Sequence, residues 1–216
     1  MIRPSSNEIE ALAKNYKIIP ISKEIYADIT TPIAVLRKLS AISKSYFLLE
    51  SVLGGEKWGR YSFLGFDPII SVSCKDKKLV IDNGSRQEIH TDKPYEVLRE
   101  LMKEYSAPRM PELPPFTGGL VGYFSYAMIA YAEPVLKLRS SDFMDFELKL
   151  FDKVIAYDHL KQKIIIVVNM KTDRVLENYG RAMADIERLT RLLLETSSSG
   201  SQLQAKAVST KVDFKC

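Results

Sequence analysis

Histidine, cysteine and tryptophan are scarce in this chain: two, two and one in 216 residues. The scarcity excludes several chemistries. Cys74 lies inside a strand-like run and Cys216 closes the chain, so the pair provides no disulfide framework. His90 falls in a hairpin strand and His159 in a hairpin turn, neither with Cys, Asp or Glu at metal-ligand spacing, and both read as surface residues. No serine or cysteine occupies a G-x-S-x-G elbow. Gly54-Gly55 and Gly118-Gly119 match neither a dinucleotide fingerprint nor a phosphate loop, and Lys57 is not followed by serine or threonine. An excess of one charge is missing as well. With 31 basic against 27 acidic residues, net charge +4, the chain carries no nucleic-acid footprint, and the clusters Lys75, Lys77, Lys78 and Arg188, Arg191 read as solvated faces. Met1–Glu10 has no basic start followed by an apolar stretch, so no secretory signal is visible. Gly118–Ala132 is uncharged over 15 residues, short of the roughly 20 that a membrane-spanning helix needs. A reducing cytoplasm is the expected compartment.

What is present is a core. Hydrophobic residues make up 46% of the chain, enough for one large or two small domains. Ser5-Ser6-Asn7-Glu8 has the capping-box form, and Ile9, Leu12 and Tyr16 recur after it at helical spacing. Lys17–Tyr26 alternates around Pro20 and reads as an edge strand, because proline has no N–H for an interior ladder. Thr31-Pro32 opens a second helix to about Leu39. Lys77–Asp82 and Arg86–His90 flank Asn83-Gly84, a hairpin signal. A helix is expected over Asp92–Tyr105, then a stiff connector with four prolines in Pro108–Pro115. Glycines 118, 119 and 122 open an apolar strand. Phe146–Tyr157 and Lys163–Met170 read as a long hairpin. Between Asp173 and Glu195, Leu176, Tyr179, Met183, Ile186, Leu189 and Leu193 recur every three or four residues, the stripe of a core-packed helix. Thr196–Ser201 has linker composition. The pattern is that of an α+β fold, with eight to ten strands in antiparallel β-sandwich-like sheets and four helices packed outside, over residues 1–195, followed by a linker over 196–216.

The most informative segment runs from Leu48 to Pro68, LLESVLGGEKWGRYSFLGFDP. A polar pair interrupts an apolar strand, and a loop with Gly54, Gly55 and Gly59 leads into a second strand. With a period of two, Phe47, Leu49 and Ser51 share one face and Leu48, Glu50 and Val52 the other, so Glu50 and Ser51 point apart in a regular strand. Pairing of the two strands would bring Ser51 near Arg60. A hydroxyl beside a guanidinium on an apolar floor suits a small carboxylate ligand; the alternative is a satisfied polar pair at a strand end.

This segment, together with PFTGGLVGYFSY from Pro115, DKVIAYDHLKQK from Asp152 and the strand after it, resembles the N-terminal domain of anthranilate synthase component I and of the related aminodeoxychorismate synthase component I. The likeness runs from about residue 15 to residue 195. It implies a pocket for the feedback inhibitor L-tryptophan at Ser51, with Glu50 beside it, Arg60 as carboxylate partner and Tyr61 adjacent. It further implies an enzyme that turns chorismate and an ammonia source into anthranilate and pyruvate, with Mg2+ in the full-length protein and a glutamine amidotransferase as component II. Two departures stand out. Where the family reads GY-x-x-YD-x-x-R, this chain has Ala127 and Ala130 in place of the acid and the base. The chorismate-binding domain that follows in the family would begin at about residue 210, so this segment alone is expected to be inactive. A standalone amino-acid-binding module is the reading from a different class.

Overall fold

The structure, a computed structural model, describes residues 2–28, 30–50, 59–133, 135–136 and 142–195. After a two-residue strand β1 (Ile2–Arg3), helix α1 (Ser6–Leu12) starts where the sequence places it. Its Glu8 carboxylate accepts from both the backbone N–H and the hydroxyl of Ser5, each at 2.7 Å. Strand β2 (Ile18–Tyr26) leads to α2 (Pro32–Ile42), capped by Thr31, whose Oγ1 accepts from the Ala34 N–H at 3.2 Å. Then come β3 (Tyr46–Leu49), β4 (Tyr61–Phe66), β5 (Ile70–Lys75), β6 (Lys78–Asp82), β7 (Arg86–His90) and α3 (Pro94–Lys103). Strand β8 (Gly119–Phe124), a 3-10 turn (Tyr126–Met128), the short α4 (Ile129–Ala132), β9 (Phe146–Phe151), β10 (Lys153–Asp158), β11 (Lys163–Lys171) and α5 (Val175–Leu194) complete the order.

Every strand pair is antiparallel, in two sheets. The first has the order β1-β2-β11-β10-β4-β3 and the second β7-β6-β5-β9-β8. This is the expected α+β class. Each sheet buries one face under its own helices. Ile19, Ile21, Leu64, Ile155, Ile164 and Ile166 meet Val35 and Leu39 of α2 and Ile186, Leu189 and Leu193 of α5. Val72, Cys74, Leu79, Phe146, Leu148 and Leu150 meet Leu98 of α3 and Met128. Burial of each such side chain contributes about 1.5–3 kcal/mol, so the two cores hold most of the fold. Between the sheets runs an aromatic seam. Phe47 packs edge-on against Phe151 and Phe116, with ring centroids 4.8 and 6.3 Å away, and Phe63 against Phe116 at 5.6 Å.

Three elements differ from the sequence reading, each for a physical reason. Residues 146–157 are not one strand but two, β9 in the second sheet and β10 in the first, split at Asp152. The Asp152 carbonyl accepts from both the backbone and the side-chain N–H groups of Asn169, at 2.8 and 3.0 Å, which fixes the crossover. The two halves bury differently: Phe-Glu-Leu-Lys keeps alternate residues out of the core, whereas Lys153–Asp158 is buried throughout. Strand β2 is interior in strand order, not an edge, yet Pro20 costs no ladder bond. Its partner Asn169 sends its N–H toward Asp152, so 20 and 169 are a non-hydrogen-bonded pair. The Pro20 nitrogen therefore faces the outer side, where β1 pairs only with Ser22 and Lys23. In α5, Leu176 is exposed, and the buried stripe is Ala182, Ile186, Leu189, Thr190 and Leu193. The segment 196–216, read as a linker, lies outside the described residues. No described helix is long and apolar enough to cross a membrane.

Candidate functional site

Arg60 and Tyr61 meet at one end of the first sheet, where β3 and β10 finish and β4 begins, and Glu50 lies at the same end with its side chain toward Ser62 on the other face. Ser51 lies outside the described residues. The register pairs Leu49 with Phe63 and Tyr61 with Asp158, so the ends of three strands converge.

Arg60 is held by a residue 98 positions away. Its Nε donates to Asp158 Oδ1 at 3.1 Å and its Nη2 to Oδ2 at 2.6 Å, the two-pronged geometry in which a guanidinium matches a carboxylate. Asp158 is nearly inaccessible, at 1% side-chain exposure, whereas Arg60 keeps 27%. Oδ1 of Asp158 also accepts the backbone N–H groups of Leu160 and Lys161, at 3.1 and 3.0 Å. Burial by itself would raise the Asp158 pKa, but these bonds, led by those from Arg60, outweigh it and hold the carboxyl below its ordinary range. The same bonds raise Arg60, and burial, followed by the Asp158 charge, raises the Tyr61 phenol. The guanidinium lies 4.8 Å from the Tyr61 ring centroid, and that ring stacks on Phe63 at 5.7 Å. Arg60 is thus immobilised on an apolar floor. Among the described residues, its Nη1 has no hydrogen-bond partner.

The opposite face carries a second polar chain. Ser62 is fully buried, and its Oγ lies 2.7 Å from His159 Nε2 and 3.5 Å from a Glu50 carboxylate oxygen. His159, expected at the surface, is half-buried, with its ring 4.7 Å from that of Tyr157. The hydroxyl has no route to solvent, so the Ser-His contact is structural and not nucleophilic. Sequence reasoning missed Ser62, Asp158 and His159. Asp158 had a local signal, since an aspartate bonding the N–H groups two and three residues on marks a turn; its long-range partner had none.

A cleft of about 460 Å³ is lined by Arg3, Ser22, Glu24, Tyr26, Lys161 and Lys163 among others, and it adjoins this cluster at Lys161, whose N–H bonds Asp158, and at Lys163, the strand partner of Asp158. No group of three or more metal-ligating side chains comes together among the described residues.

The fold is shared with a solved structure, anthranilate synthase component I from Streptococcus pneumoniae TIGR4. That likeness has a TM-score of 0.52 at 21% identity, over 81% of this chain and 37% of that one. No family model matches the chain. Anthranilate synthase component 1 of Acetivibrio thermocellus is 39% identical over 201 residues, 91% of this chain and 40% of that protein. The protein of the same name from Acinetobacter calcoaceticus is 36% identical over 200 residues, 88% and 39% respectively. Fold and coverage together define a class: the two-sheet antiparallel α+β portion of a larger enzyme component. Within it, the chain belongs to the anthranilate synthase component I family and corresponds to the N-terminal portion. It spans about 40% of the length of the curated relatives it matches.

Proposed function

We propose that this chain is the effector-sensing N-terminal portion of an anthranilate synthase component I. In this reading the full-length protein works in the cytoplasm in tryptophan biosynthesis, as a lyase forming anthranilate and pyruvate from chorismate. Ammonia comes from glutamine through a separate amidotransferase component. Catalysis and the Mg2+ site belong to the chorismate-binding portion beyond this chain. L-tryptophan binds here as feedback inhibitor, at Ser51, Arg60 and Tyr61, with Glu50 adjacent.

The observation that carries the site assignment is the fixed Arg60. Asp158 takes one edge of its guanidinium, and Nη1, which has no hydrogen-bond partner among the described residues, is in this reading the donor to the ligand carboxylate. Ser51 is bonded to Glu50, whose side chain turns toward Ser62 on the helix-covered face. Glu50 therefore serves the pocket through its backbone more than through its carboxylate.

The test is inhibition of a full-length component I carrying this segment. Ser51→Leu removes a hydroxyl contact and adds bulk, which costs the inhibitor about 1–3 kcal/mol, or roughly 5- to 150-fold in inhibition constant, with uninhibited turnover near normal. Arg60→Ala is expected to act in the same direction, and Glu50→Ala only weakly. An unchanged constant for Ser51→Leu beside a large rise for Glu50→Ala would place the pocket on the opposite face.

A further inference from the structure

A further cavity lies at the end of the first sheet opposite Arg60. Asp152 immediately precedes β10 and Asp158 ends it, which puts the two about 20 Å apart along the strand. On β11, Asn169 and Lys171 continue the face of Ile165 and Val167, the one turned away from α2 and α5. Ile18, Ile69, Met102, Leu150 and Phe151, with Tyr105, line a narrow inner end of about 90 Å³. Tyr105, Asp152, Asn169 and Lys171 also line an adjoining open cleft of about 470 Å³, within the roughly 300–1,000 Å³ usual for ligand sites. An apolar interior and a polar mouth thus form one groove. The aromatic seam closes it off from the Arg60 end, since Phe151, part of its wall, packs on Phe47.

The groups at the mouth carry both signs, and neither satisfies the other. Among the described residues Lys171 forms no ion pair, and its ammonium lies 5.9 Å from the Tyr105 ring centroid. Asp152 pairs through Oδ1 with adjacent Lys153 at 3.0 Å, while its Oδ2 has no hydrogen-bond partner among the described residues. Asn169 spends its amide N–H groups on the carbonyls of Thr117 and Asp152, at 2.7 and 3.0 Å, which fixes the side chain and leaves Oδ1 as an acceptor. We propose that this groove binds a small aliphatic α-amino acid. Lys171 takes the carboxylate, Asp152 and Asn169 Oδ1 take the ammonium, and the apolar inner end takes the side chain. A ligand of one sign would leave the opposite charge at the mouth unanswered, whereas a zwitterion pairs both. The narrow inner end suits an isobutyl-sized chain and not a bicyclic ring, which sets this site apart from the one proposed at Ser51 and Arg60. It does not depend on that reading.

The experiment titrates the 216-residue chain with L-leucine, followed by calorimetry and by NMR. Saturable one-to-one binding is expected, with movement of the Asn169 side-chain amide and Tyr105 ring signals. Lys171→Met and Asp152→Asn should each weaken it at least tenfold, whereas Lys14→Met, at an exposed lysine after α1, should not. Unchanged thermal midpoints show that the variants keep the fold. 4-Methylpentanoate and 3-methylbutylamine, which each lack one charged group of leucine, should bind at least tenfold more weakly than leucine. Absence of saturable binding at millimolar L-leucine overturns the proposal. So does equal binding by either analogue, or an affinity that neither substitution at the mouth changes. Should a variant fail to fold, the parent chain still decides, because binding that leaves the Asn169 and Tyr105 signals unmoved lies elsewhere. Displacement of L-leucine by an equal concentration of L-tryptophan would put both in one site and also overturns it.

Discussion

Single residues in this domain act mainly through partners far away in sequence, and Asp158 is the clearest case. Its carboxylate gathers four hydrogen bonds, two from Arg60 and two from backbone N–H groups, in a nearly water-free place. Because its folded pKa is depressed, its contribution to stability is fully present above the unfolded carboxyl range and is lost as pH falls through the lower folded value. Asp158→Asn is therefore expected to destabilise by about 2–3 kcal/mol at neutral pH, a figure reduced for the partial exposure of Arg60. The gap from the parent should shrink as pH drops below about 4. Urea unfolding at a series of pH values measures it; a gap independent of pH would show that packing, not charge, is what the substitution removed. Gly65 gives a purely steric counterpart. A Cβ there would overlap the edge of the Phe47 ring, which is itself wedged against Phe151. Gly65→Ala should cost about 1–3 kcal/mol, visible as a lowered denaturant midpoint, with partial recovery when Phe47→Leu is added.

At the scale of elements, helices α2 and α5 are tied by more than apolar contact. Lys38 of α2 reaches the C-terminus of α5 and donates to the carbonyls of Leu192, Leu193 and Glu195, at 3.0, 2.8 and 2.6 Å. A cation there satisfies acceptors that the last turn cannot satisfy itself and offsets the negative end of the helix dipole. Burial lowers the Lys38 pKa, partly offset by the nearby Glu195 carboxylate. Lys38→Met keeps the aliphatic stem and removes the donors. It should destabilise by about 1–2 kcal/mol and speed amide exchange in the last turn of α5 first. An effect spread evenly over both helices would mean that the stem, not the ammonium, makes the link.

For the whole molecule, the decisive feature is that each sheet has its own main core and that the two meet through aromatic rings and a few polar contacts such as Lys149 Nζ to Ser45 Oγ at 3.1 Å. Leu148→Ala, in the second core, should cost about 2–4 kcal/mol. Its loss should appear as faster exchange in β5, β6 and β9, with β10 and β11 changed much less, since the seam transmits little of the strain. Uniform acceleration across both sheets would show one cooperative unit instead.

The elements of the fold were legible along the chain because their signals are local. The Ser5–Glu8 box, the Thr31-Pro32 start, the Asn83-Gly84 hairpin and the stripe of α5 all depend on neighbours within a few residues, and each is found close to where it was read. The change from alternating to continuous burial at Asp152 was also written in the sequence, as Phe-Glu-Leu-Lys giving way to Val-Ile-Ala-Tyr, but its meaning depends on both sheets being present. The segment containing Ser51, Glu50, Arg60 and Tyr61 could be picked out because its residue order resembles a known family. What Arg60 touches could not be read in this way. Its partner Asp158 is chosen by the pairing of β4 with β10, and His159 reaches Ser62 by the same register. Local chemistry determines where strands and helices begin and end. Which side chains face one another across a sheet is set only by the packing that aligns strands nearly a hundred residues apart, and that was left to the tertiary structure.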